Sequence, residues 1–470
     1  MQISQLKNKK ILILGFGLEG VDTLNFLRRY FPVQKIGVAD KNKLKDFPQK
    51  TQEIINKDKN LEVFLGKNYL KSLGNFEIVF KSPGISLFFK EIKTAEKKGI
   101  EISSQTKIFF DLFSGKTIGI TGTKGKSTTT TLIYKILKQD KKQAYLLGNI
   151  GNPVLGFLQE CIKNKNCKEK IAVYELSCHQ LYNLEKSPNI AVFLNLFPEH
   201  LDYYPNLKEY YNSKLSIFLN QKKDDFLVFN ADSKEIAKHL GKVKSQKFYF
   251  SLSGKKKKFE QGCYFKEDSI YFHKKGKDEK IISRNDILLK GKFNLQNAMA
   301  AILAAKIFGV SNADIKSVFR KFPGLEHRLE FVGERKGIKF YNDSLATLPE
   351  ATIEAINSFE KVDTLILGGY DRGLVHKELA KRILRKKIKN LAFFPGSGQR
   401  IWQEIKKRAG KNAKFNTFFG SSMKEIVDFC YKKTGKNGIC LLSCASPSFG
   451  LFKDYKDRGD QFKKWIKKLS

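Results

Sequence analysis

Short apolar runs alternate with helix-spaced stretches along the first 112 residues. Ile11–Leu14 is a run of four apolar residues, and a glycine-rich turn separates it from the helical spacing of Leu18–Tyr30. Further strand-like runs lie at 35–39, ending at an aspartate, and at 77–80, ending at a serine-proline-glycine turn. Strands that alternate with helices are typical of an α/β unit with a parallel sheet. We therefore predict a first α/β domain over residues 1–112.

The same alternation restarts twice, at Lys116 and after Phe322-Pro323-Gly324. It predicts a central domain over 113–323 and a third domain over 324–470. The predicted strands are 117–120, Ile171–Glu175, 190–195, 338–341, 364–367, 391–394 and 438–442, with β hairpins within 247–273; the predicted helices are 128–138, 207–220, 294–308 and Asn312–Lys321. The fold class is therefore α/β, with Rossmann-like first and third domains and a central domain of parallel sheet carrying a small β insertion.

Composition agrees with several packed cores. The chain has 470 residues, of which 41% are hydrophobic, and this excludes a disordered protein. Its formal net charge is +40, but the 87 basic residues are spread along the chain and no nucleic-acid-binding motif accompanies them. We expect the charge to attract anionic small molecules, and no nucleic-acid partner. A basic nucleotide-binding module that engages nucleic acid stays as the alternative from another class.

The seven cysteines are scattered and form no CxxC pair, which disfavours a disulfide framework or a zinc site. The apolar run Ile11–Leu14 is interrupted at once by glycines and is not a signal peptide. No apolar stretch is long enough to span a bilayer. These observations predict a cytoplasmic protein without a membrane partner.

The strongest local motif is the loop Gly122-Thr123-Lys124-Gly125-Lys126-Ser127 between a predicted strand and helix. Successive backbone N–H groups at a helix start cradle phosphates, a lysine reaches the terminal phosphates, and a serine hydroxyl binds Mg²⁺. A full Walker A motif has glycine where this chain has Ile120, so the loop is a shortened P-loop. The alternative is a glycine-rich turn that only starts a helix.

Two weaker motifs also lie at strand ends. Residues 15–20 match GxGxxG, and Asp40 follows at the distance seen in nucleotide-binding domains, although a tight turn for helix packing gives the same pattern. In the central domain, Glu175 ends a strand, and His200 and Asp202 follow the next one. Carboxylate oxygens with an occasional imidazole suit Mg²⁺ or Mn²⁺.

Taken together and in order, the motifs resemble the Mur ligase family, most closely its glutamate-adding members. The similarity covers nearly the whole chain through GxGxxG at 15–20, SPGI at 82–85, GTKGKST at 122–128, GNIG at 148–151, ELS at 175–177, EHLDYYP at 199–205, YNSKLSIF at 211–218, GKFNLQN at 291–297, HRLE at 327–330, NDSLAT at 342–347 and ASPSFGLFKDYKDRG at 445–459. Any one of these motifs is common, whereas eleven in one order are specific.

The resemblance implies an ATP- and Mg²⁺-dependent ligase, monomeric, that adds glutamate to UDP-N-acetylmuramoyl-L-alanine through an acyl phosphate during peptidoglycan precursor synthesis. It implies D-glutamate as the amino acid, with L-glutamate as the alternative. Another Mur ligase or a folylpolyglutamate-type ligase is a more distant reading, disfavoured by the GxGxxG start and SPGI. Lys214 corresponds to the family's carbamylated lysine, whose CO₂ adduct is an anionic oxygen ligand.

The resemblance also assigns site residues by position. The UDP-sugar site would comprise Gly17, Leu18, Glu19, Asp40, Ser82 and Asn149. The ATP site would comprise Gly122, Thr123, Lys124, Gly125, Lys126, Ser127, Thr128, Asn294, Arg328 and Asp343. Metal ligands would be Ser127, Glu175, His200 and Lys214, and the catalytic residues Lys126, His200 and Lys214. The glutamate site would comprise Thr347, Arg372, Ser448 and Tyr455.

Four positions depart from the family's pattern. Leu345 stands where the family has lysine, Tyr455 where it has phenylalanine, and Lys124 where it has asparagine. Arg372, in GGYDRG, replaces the commoner lysine, and its guanidinium suits a bidentate contact with a carboxylate. Three of the four lie in the third domain, and the pattern is similar to a sister group that adds L-glutamate. These three departures bear on the hand of the glutamate, and the ATP and UDP-sugar sites show no comparable set of departures.

Overall fold

The structure is a computed structural model that describes residues 1–150, 153–199, 203–255, 258–289, 291–410 and 413–469. The chain forms two compact units, Met1–Asp286 with Leu295–Val318, and Ile287–Asn294 with Phe319–Ser470. The first unit contains two sheets and the second contains one. The predicted fold class, three α/β domains with largely parallel sheets, is confirmed.

The first domain is a five-stranded parallel sheet in the order β3-β2-β1-β4-β5. Its strands are β1 Ile11–Leu14, β2 Ile36–Asp40, β3 Leu61–Leu65, β4 Ile78–Lys81 and β5 Glu101–Ser103; its helices are α1 Leu18–Tyr30, α2 Gln49–Lys57, α3 Lys90–Lys97 and α4 Gln105–Leu112, with 3₁₀ turns at Ile3–Leu6, Leu44–Asp46 and Tyr69–Asn75. β1 is buried throughout because apolar side chains pack against both of its faces. The Gly-rich turn follows β1, Asp40 ends β2, and Ser82 follows β4. All three therefore lie at the carboxyl ends of the parallel strands.

The central domain is a nine-stranded sheet in the order β14-β13-β12-β11-β10-β9-β6-β8-β7. Its strands are β6 Lys116–Thr121, β7 Ala144–Gly148, β8 Ile171–Glu175, β9 Ile190–Phe193, β10 Phe226–Asn230, β11 Gln246–Ser251, β12 Gln261–Lys266, β13 Ser269–Lys274 and β14 Lys277–Ser283. The helices of this stretch of chain are α5 Lys126–Gln139, α6 Val154–Lys163, α7 Cys178–Leu181, α8 Leu207–Leu219, α9 Lys234–Ala237, α10 Lys292–Ile307 and α11 Asn312–Lys321, with 3₁₀ turns at Cys167–Glu169, Leu240–Lys242 and Arg284–Asp286.

The β insertion agrees with its prediction in part. The antiparallel hairpin of β12 and β13 lies within the predicted 247–273 except for its last residue, and β14 extends the antiparallel part beyond that range. Gln246–Ser251, predicted to open a hairpin, is instead a parallel neighbour of β10, because its aromatic run is buried within the sheet. Strands β12, β13 and β14 continue the central sheet at its edge and do not lie beside it.

The third domain, in the second unit, has a six-stranded sheet in the order β15-β16-β20-β17-β18-β19. Its strands are β15 Glu330–Arg335, β16 Ile338–Asn342, β17 Thr364–Gly369, β18 Asn390–Gly396, β19 Asn416–Phe419 and β20 Ile439–Leu442; its helices are α12 Pro349–Asn357, α13 Lys377–Arg385, α14 Ser397–Arg408, α15 Met423–Lys433 and α16 Tyr455–Lys467. Only β15 runs antiparallel to its neighbour. Both tryptophans of the chain, Trp402 and Trp465, lie in this domain.

Two further properties concern the whole chain. All seven cysteines are buried and free. Within the described ranges, no helix combines the length and the apolar character needed to cross a membrane.

Candidate active site

The P-loop connects β6 to α5, as the strand–loop–helix pattern predicted, and α5 begins at Lys126. Gly125 has φ +87°, and a Cβ on it would lie 2.3 Å from Asn297 Oδ1. A side chain there would therefore meet both a disfavoured backbone conformation and a steric clash. Glycine allows α5 to start so abruptly that its N-terminal N–H groups face the loop, which is the arrangement that binds phosphate.

The loop is held in shape by residues that follow β9. Asn195 Oδ1 accepts a hydrogen bond from Lys124 N at 2.8 Å, and Asn195 Nδ2 donates to Lys124 O at 3.0 Å. Phe197 N donates to Thr123 Oγ1 at 3.0 Å. These contacts fix the backbone of the loop from a neighbouring strand end, so that phosphate-binding groups are preorganised. Asn195 was not singled out from the sequence.

Two lysines converge on one carbonyl of the loop. Lys126 Nζ donates to Gly122 O at 2.9 Å and Thr123 O at 3.2 Å, and Lys214 Nζ donates to Gly122 O at 3.0 Å. Lys214 is only 1% exposed. Burial, and secondarily the Lys126 cation, lowers the pKa of Lys214 to about 7. Lys214 is therefore partly a neutral amine near neutral pH.

Glu175 stands at the end of β8, opposite Ile120 of β6 in the strand register. It is 3% exposed, and its Oε2 has no hydrogen-bond partner among the residues that the structure describes. A buried carboxylate oxygen without a donor is costly unless a cation binds it. The unpartnered oxygen therefore fits a divalent metal ion, to which Ser127 at the start of α5 could add a hydroxyl.

Two predicted residues of this region, His200 and Asp202, lie outside the described residues. Over the described part of the chain, no group of three or more His, Cys, Asp or Glu side chains is arranged to hold a metal. Within that part of the chain, the groups available to a metal beside Glu175 are of other kinds, such as a hydroxyl, a modified lysine or substrate oxygens.

The glycine-rich turn of the first domain is joined to two neighbouring strand ends. Phe16 N donates to Asp40 Oδ2 at 2.7 Å, and Asn42 N donates to Asp40 Oδ1 at 2.9 Å. Ser82 Oγ donates to Gly15 O at 2.8 Å. Asp40 Oδ2 thus holds the turn before α1, and Oδ1 holds the turn that follows β2. At that helix start, Gly17 and Leu18 are exposed, and Leu18 is 89% exposed.

Glu19, one residue farther along α1, faces the central domain. Its Oε1 accepts a hydrogen bond from Gln180 Nε2 at 3.1 Å. Burial raises the pKa of Glu19 to about 7, while the Gln180 hydrogen bond and the Lys81 charge oppose the rise. Burial in turn lowers the pKa of Lys81 to about 8, against the effect of Glu19, and Lys81 Nζ donates to Ser82 O and Ile85 O at 2.9 and 2.8 Å.

Asn149 and Glu175 leave neighbouring strand ends. Gly148, the last residue of β7, is the register partner of Glu175 on β8, and Asn149 follows it with an exposed side chain. The strand register therefore places a residue predicted for the UDP-sugar next to a residue predicted for the metal.

In the second unit, Asp343 is the most enclosed of the predicted ATP-site residues. Its Oδ2 accepts from Ser443 Oγ at 2.8 Å, and its Oδ1 accepts from Leu329 N at 3.2 Å. Burial raises the pKa of Asp343 to about 7; the Ser443 hydrogen bond and the Arg328 charge oppose that rise. Asn294 is also buried, at 7% exposure, whereas Arg328 is half-buried.

The predicted glutamate-site residues lie on loops that a buried arginine joins. Arg458, which is fully buried, donates to Ser344 O at 2.8 Å, to Ser344 Oγ at 2.9 Å and to Ser446 O at 3.0 Å. It thereby connects the loop after β16, which carries Thr347, to the loop after β20, which carries Ser448. Ser344 Oγ donates to Tyr455 O at 2.8 Å, which adds the start of α16.

Arg372 belongs to the loop after β17, and this loop is tied to the same group. Tyr370 N donates to Pro447 O at 2.9 Å. Arg372 itself is exposed and makes no hydrogen bond or ion pair with a described residue. Its guanidinium is therefore available to a carboxylate. Neither Arg458 nor Ser344 was singled out from the sequence.

Comparisons with known proteins find relatives along nearly the whole chain. Two family models match, the Mur ligase middle domain over residues 120–305 and the Mur ligase MurD-like N-terminal domain over residues 9–104. The UDP-N-acetylmuramoylalanine–D-glutamate ligase of Acetivibrio thermocellus is 35% identical, across 99% of this chain and 97% of the relative. The enzyme of the same name from Clostridium acetobutylicum is 34% identical, across 99% and 97%.

Solved structures agree with the fold. A UDP-N-acetylmuramate–alanine ligase from Thermotoga maritima superposes with a TM-score of 0.56 at 19% identity, covering 98% of this chain and 99% of the other. The MurF ligase of the same organism, solved with ADP, gives 0.55 at 17% identity, covering 99% and 97%. At such identities the likeness concerns the fold alone.

Proposed function

The chain belongs to the Mur ligase family, and from this we propose that it joins D-glutamate to UDP-N-acetylmuramoyl-L-alanine with hydrolysis of ATP to ADP and phosphate. Family membership makes it an ATP-dependent ligase of peptidoglycan precursor synthesis. The observation that carries the choice of substrate is the 35% identity to a D-glutamate ligase over nearly the full length of both chains, third domain included.

The proposed reaction has two steps. The alanyl carboxylate attacks the γ-phosphorus of ATP, so that ADP leaves and an acyl phosphate forms. The amine of glutamate then attacks the acyl carbon, the amide bond forms, phosphate leaves and the amine loses a proton. Lys126 would turn from the loop carbonyls to the phosphates, and the N–H groups at the start of α5 would hold them. Catalysis then rests on positioning and on charge stabilisation.

We propose Mg²⁺ as the metal, with Mn²⁺ as a substitute of similar ligand preference. When bound, the ion neutralises charge on the transferring phosphoryl group. Among the described residues, Glu175 would hold the ion through its unpartnered oxygen, and Ser127 through its hydroxyl. His200, assigned a ligand role by its motif, completes the proposed set.

We propose that Lys214 is carbamylated. Its lowered pKa supports this, because only the neutral amine attacks CO₂; the N–C bond forms and one proton is released. The product replaces a cation that would repel Mg²⁺ with an anionic oxygen ligand. Lys214→Ala should lower turnover at least about a hundredfold, the scale for loss of a charge-stabilising group. Partial rescue by a short carboxylate such as acetate is expected, and failure of every small carboxylate to restore turnover would count against carbamylation.

The D-glutamate assignment has to accommodate Leu345 and Arg372, the departures from the family's usual lysines. Arg372 is exposed and unpaired among the described residues, so it can clamp a glutamate carboxylate with two parallel hydrogen bonds. An arginine at this position thus preserves the charge of the usual lysine.

The deciding experiment is phosphate release from ATP with UDP-N-acetylmuramoyl-L-alanine and either D-glutamate or L-glutamate, offered separately. We expect turnover with D-glutamate and formation of the corresponding UDP-linked dipeptide, identified by mass spectrometry. Turnover with L-glutamate only would contradict the proposed stereochemistry. No phosphate release with either amino acid would contradict the proposed acceptor or amino acid and would point to the activity of another amino-acid ligase. Lys126→Ala serves as the inactive control.

We further propose that the enzyme acts as a cytoplasmic monomer, with domain boundaries near 112 and 323 and no nucleic-acid partner. The substrates are anionic, and a net charge of +40 favours their approach. Light scattering on the purified chain tests the monomer. Salt-dependent retention on DNA with a steep slope would contradict the absence of a nucleic-acid partner.

A further inference from the structure

Helix α6 begins without a capping side chain of its own. Its N-cap residue is Pro153, which makes no side-chain hydrogen bond to the helix. The acceptor comes from the first domain: Asp22 Oδ2 accepts from Leu155 N at 3.0 Å, and Asp22 Oδ1 accepts from Gly156 N at 3.1 Å. These are the N2 and N3 positions that a local cap would serve. Asp22 thus caps a helix of a different domain.

The Asp22 carboxylate is buried at this contact and is held there by a further hydrogen bond. It is 8% exposed, and Gln105 Nε2 donates to its Oδ2 at 2.7 Å. The same amide donates to Glu19 O at 2.9 Å, one turn earlier on α1. At Gly156, a Cβ would lie 3.3 Å from Asp22 Oδ1, so any larger residue would crowd the carboxylate.

Helix α1 also holds the central domain at a second point. Glu19 accepts from Gln180 Nε2, and the orientation of that amide is fixed because Gln180 Oε1 accepts from Ser177 N at 2.9 Å and Ser177 Oγ at 3.0 Å. Ser177 follows Glu175 by two residues. One helix of the first domain is therefore bonded to the segment after β8 and to the helix that follows β7.

These two points of attachment lie on the helices that follow two neighbouring strands, α6 after β7 and α7 after β8. Gly148, the last residue of β7, pairs in register with Glu175, and the chain runs from there through Asn149 to α6. Asn149 thus follows a paired strand, and α6, the next helix along the chain, has its start held by the Asp22 cap. Loss of the cap would free the start of α6 while leaving β7 and the P-loop in place.

We propose that Asp22 is a positioning residue for the ligation, which by capping α6 keeps Asn149 beside Glu175 and so aligns the sugar nucleotide with the phosphoryl-transfer site. This inference rests on the proposed acceptor substrate. The hydrogen bonds of Asp22 go to Gln105, Leu155 and Gly156 and not to the P-loop, so its influence falls on the sugar nucleotide and not on ATP.

The test compares Asp22→Ala and Asp22→Asn with Asn25→Ala, an exposed position on the same helix. For Asp22→Ala we expect the KM for UDP-N-acetylmuramoyl-L-alanine to rise about tenfold, equivalent to about 1.4 kcal/mol, with the KM for ATP unchanged. For Asp22→Asn, which keeps one acceptor oxygen for two N–H groups, this KM should lie between the values for the wild type and Asp22→Ala. Asn25→Ala should match the wild type. Hydrogen exchange at Leu155 and Gly156 should accelerate in Asp22→Ala.

A merely structural cap predicts a different outcome. The melting temperature and the active fraction would fall, while both KM values stayed at wild-type levels, and that result would overturn the inference. If Asp22→Ala does not fold, Gly156→Ala provides the test, since it keeps the carboxylate but crowds it and should raise the same KM. If the wild type shows no turnover, the proposed function fails; calorimetric binding of the sugar nucleotide to wild type and Asp22→Asn then decides the inference by itself, and equal affinities would refute it.

Discussion

The buried carboxyl of Asp343 should make the stability of the protein depend on pH. Its pKa in the folded protein is about 7, against an ordinary value of 3.8. The folded state therefore holds the proton more tightly than the unfolded state, and stability falls as pH rises from about 4 to about 7 and is level above that. A difference of about 3 pKa units at 1.36 kcal/mol each gives an upper value of about 4 kcal/mol.

Asp343→Asn removes the charge and keeps the contacts. The amide oxygen can accept from Leu329 N, as Oδ1 does now at 3.2 Å. The amide nitrogen can donate to Ser443 Oγ, because the hydroxyl proton of Ser443 has a second acceptor, Thr352 Oγ1, at 3.0 Å. We therefore expect the free energy of unfolding of the variant, relative to that of the wild type, to increase by about 2–3 kcal/mol as pH rises from about 5 to about 8.

The assay is urea unfolding followed by far-ultraviolet circular dichroism at several pH values over that range. Asp428→Asn is the matched control, since its carboxylate is 44% exposed and pairs with Lys424 at 3.1 Å. An exposed pair contributes about 0–1 kcal/mol, and its removal should change stability nearly equally at each pH. An Asp343→Asn advantage that did not grow with pH, or a variant less stable than wild type at the alkaline end, would refute the reasoning.

Three further outcomes follow from contacts in the two units. Lys126→Ala should lower phosphate release by at least about a hundredfold with a melting temperature close to wild type, and substantial turnover would contradict the P-loop assignment. Gly125→Ala should cost about 1–2 kcal/mol for the left-handed backbone alone, and more through the clash with Asn297, so urea unfolding should show a lower midpoint and ATP titration a higher KM. Arg458→Met leaves two buried carbonyls without their donor, at about 1–3 kcal/mol each, and an unchanged urea midpoint would show that the arginine does not join its loops.

The parts of the fold that sequence predicted are those with a local signal. Ile11–Leu14 and its glycine-rich turn, and the P-loop between β6 and α5, each combine a short apolar run with a glycine whose backbone conformation is required. Their positions were correct to within a few residues. The order of strands in each sheet carries no comparable local signal, because it depends on pairing between distant segments.

Two central strands were missed for a physical reason. Ala144–Gly148 is only partly buried at its middle, and Phe226–Asn230 is a short apolar run that periodicity does not distinguish from a loop or a helix segment. The predicted hairpin region wrongly included Gln246–Ser251, because this segment has the aromatic composition of a hairpin strand. Only its parallel pairing with β10 identifies it as part of the main sheet.

The site residues divide in the same way. Lys126 and Glu175 were predicted as site residues because Lys126 lies in the loop after a strand and Glu175 ends one, each in a recognisable motif. Asp22, Asn195 and Arg458 were not, since each acts on a partner far along the chain and none has an unusual local sequence. Long-range hydrogen bonds that shape a loop leave no characteristic residue spacing in the sequence.

The placement of both tryptophans in the third domain has a spectroscopic consequence. Trp402 packs against Phe393 and Phe415, and Trp465 lies under Lys424 and Lys468. With excitation selective for tryptophan, fluorescence emission reports on this domain alone, because the other unit contains no tryptophan. Following that emission alongside circular dichroism would therefore reveal, without any label, whether the two units melt together or in sequence.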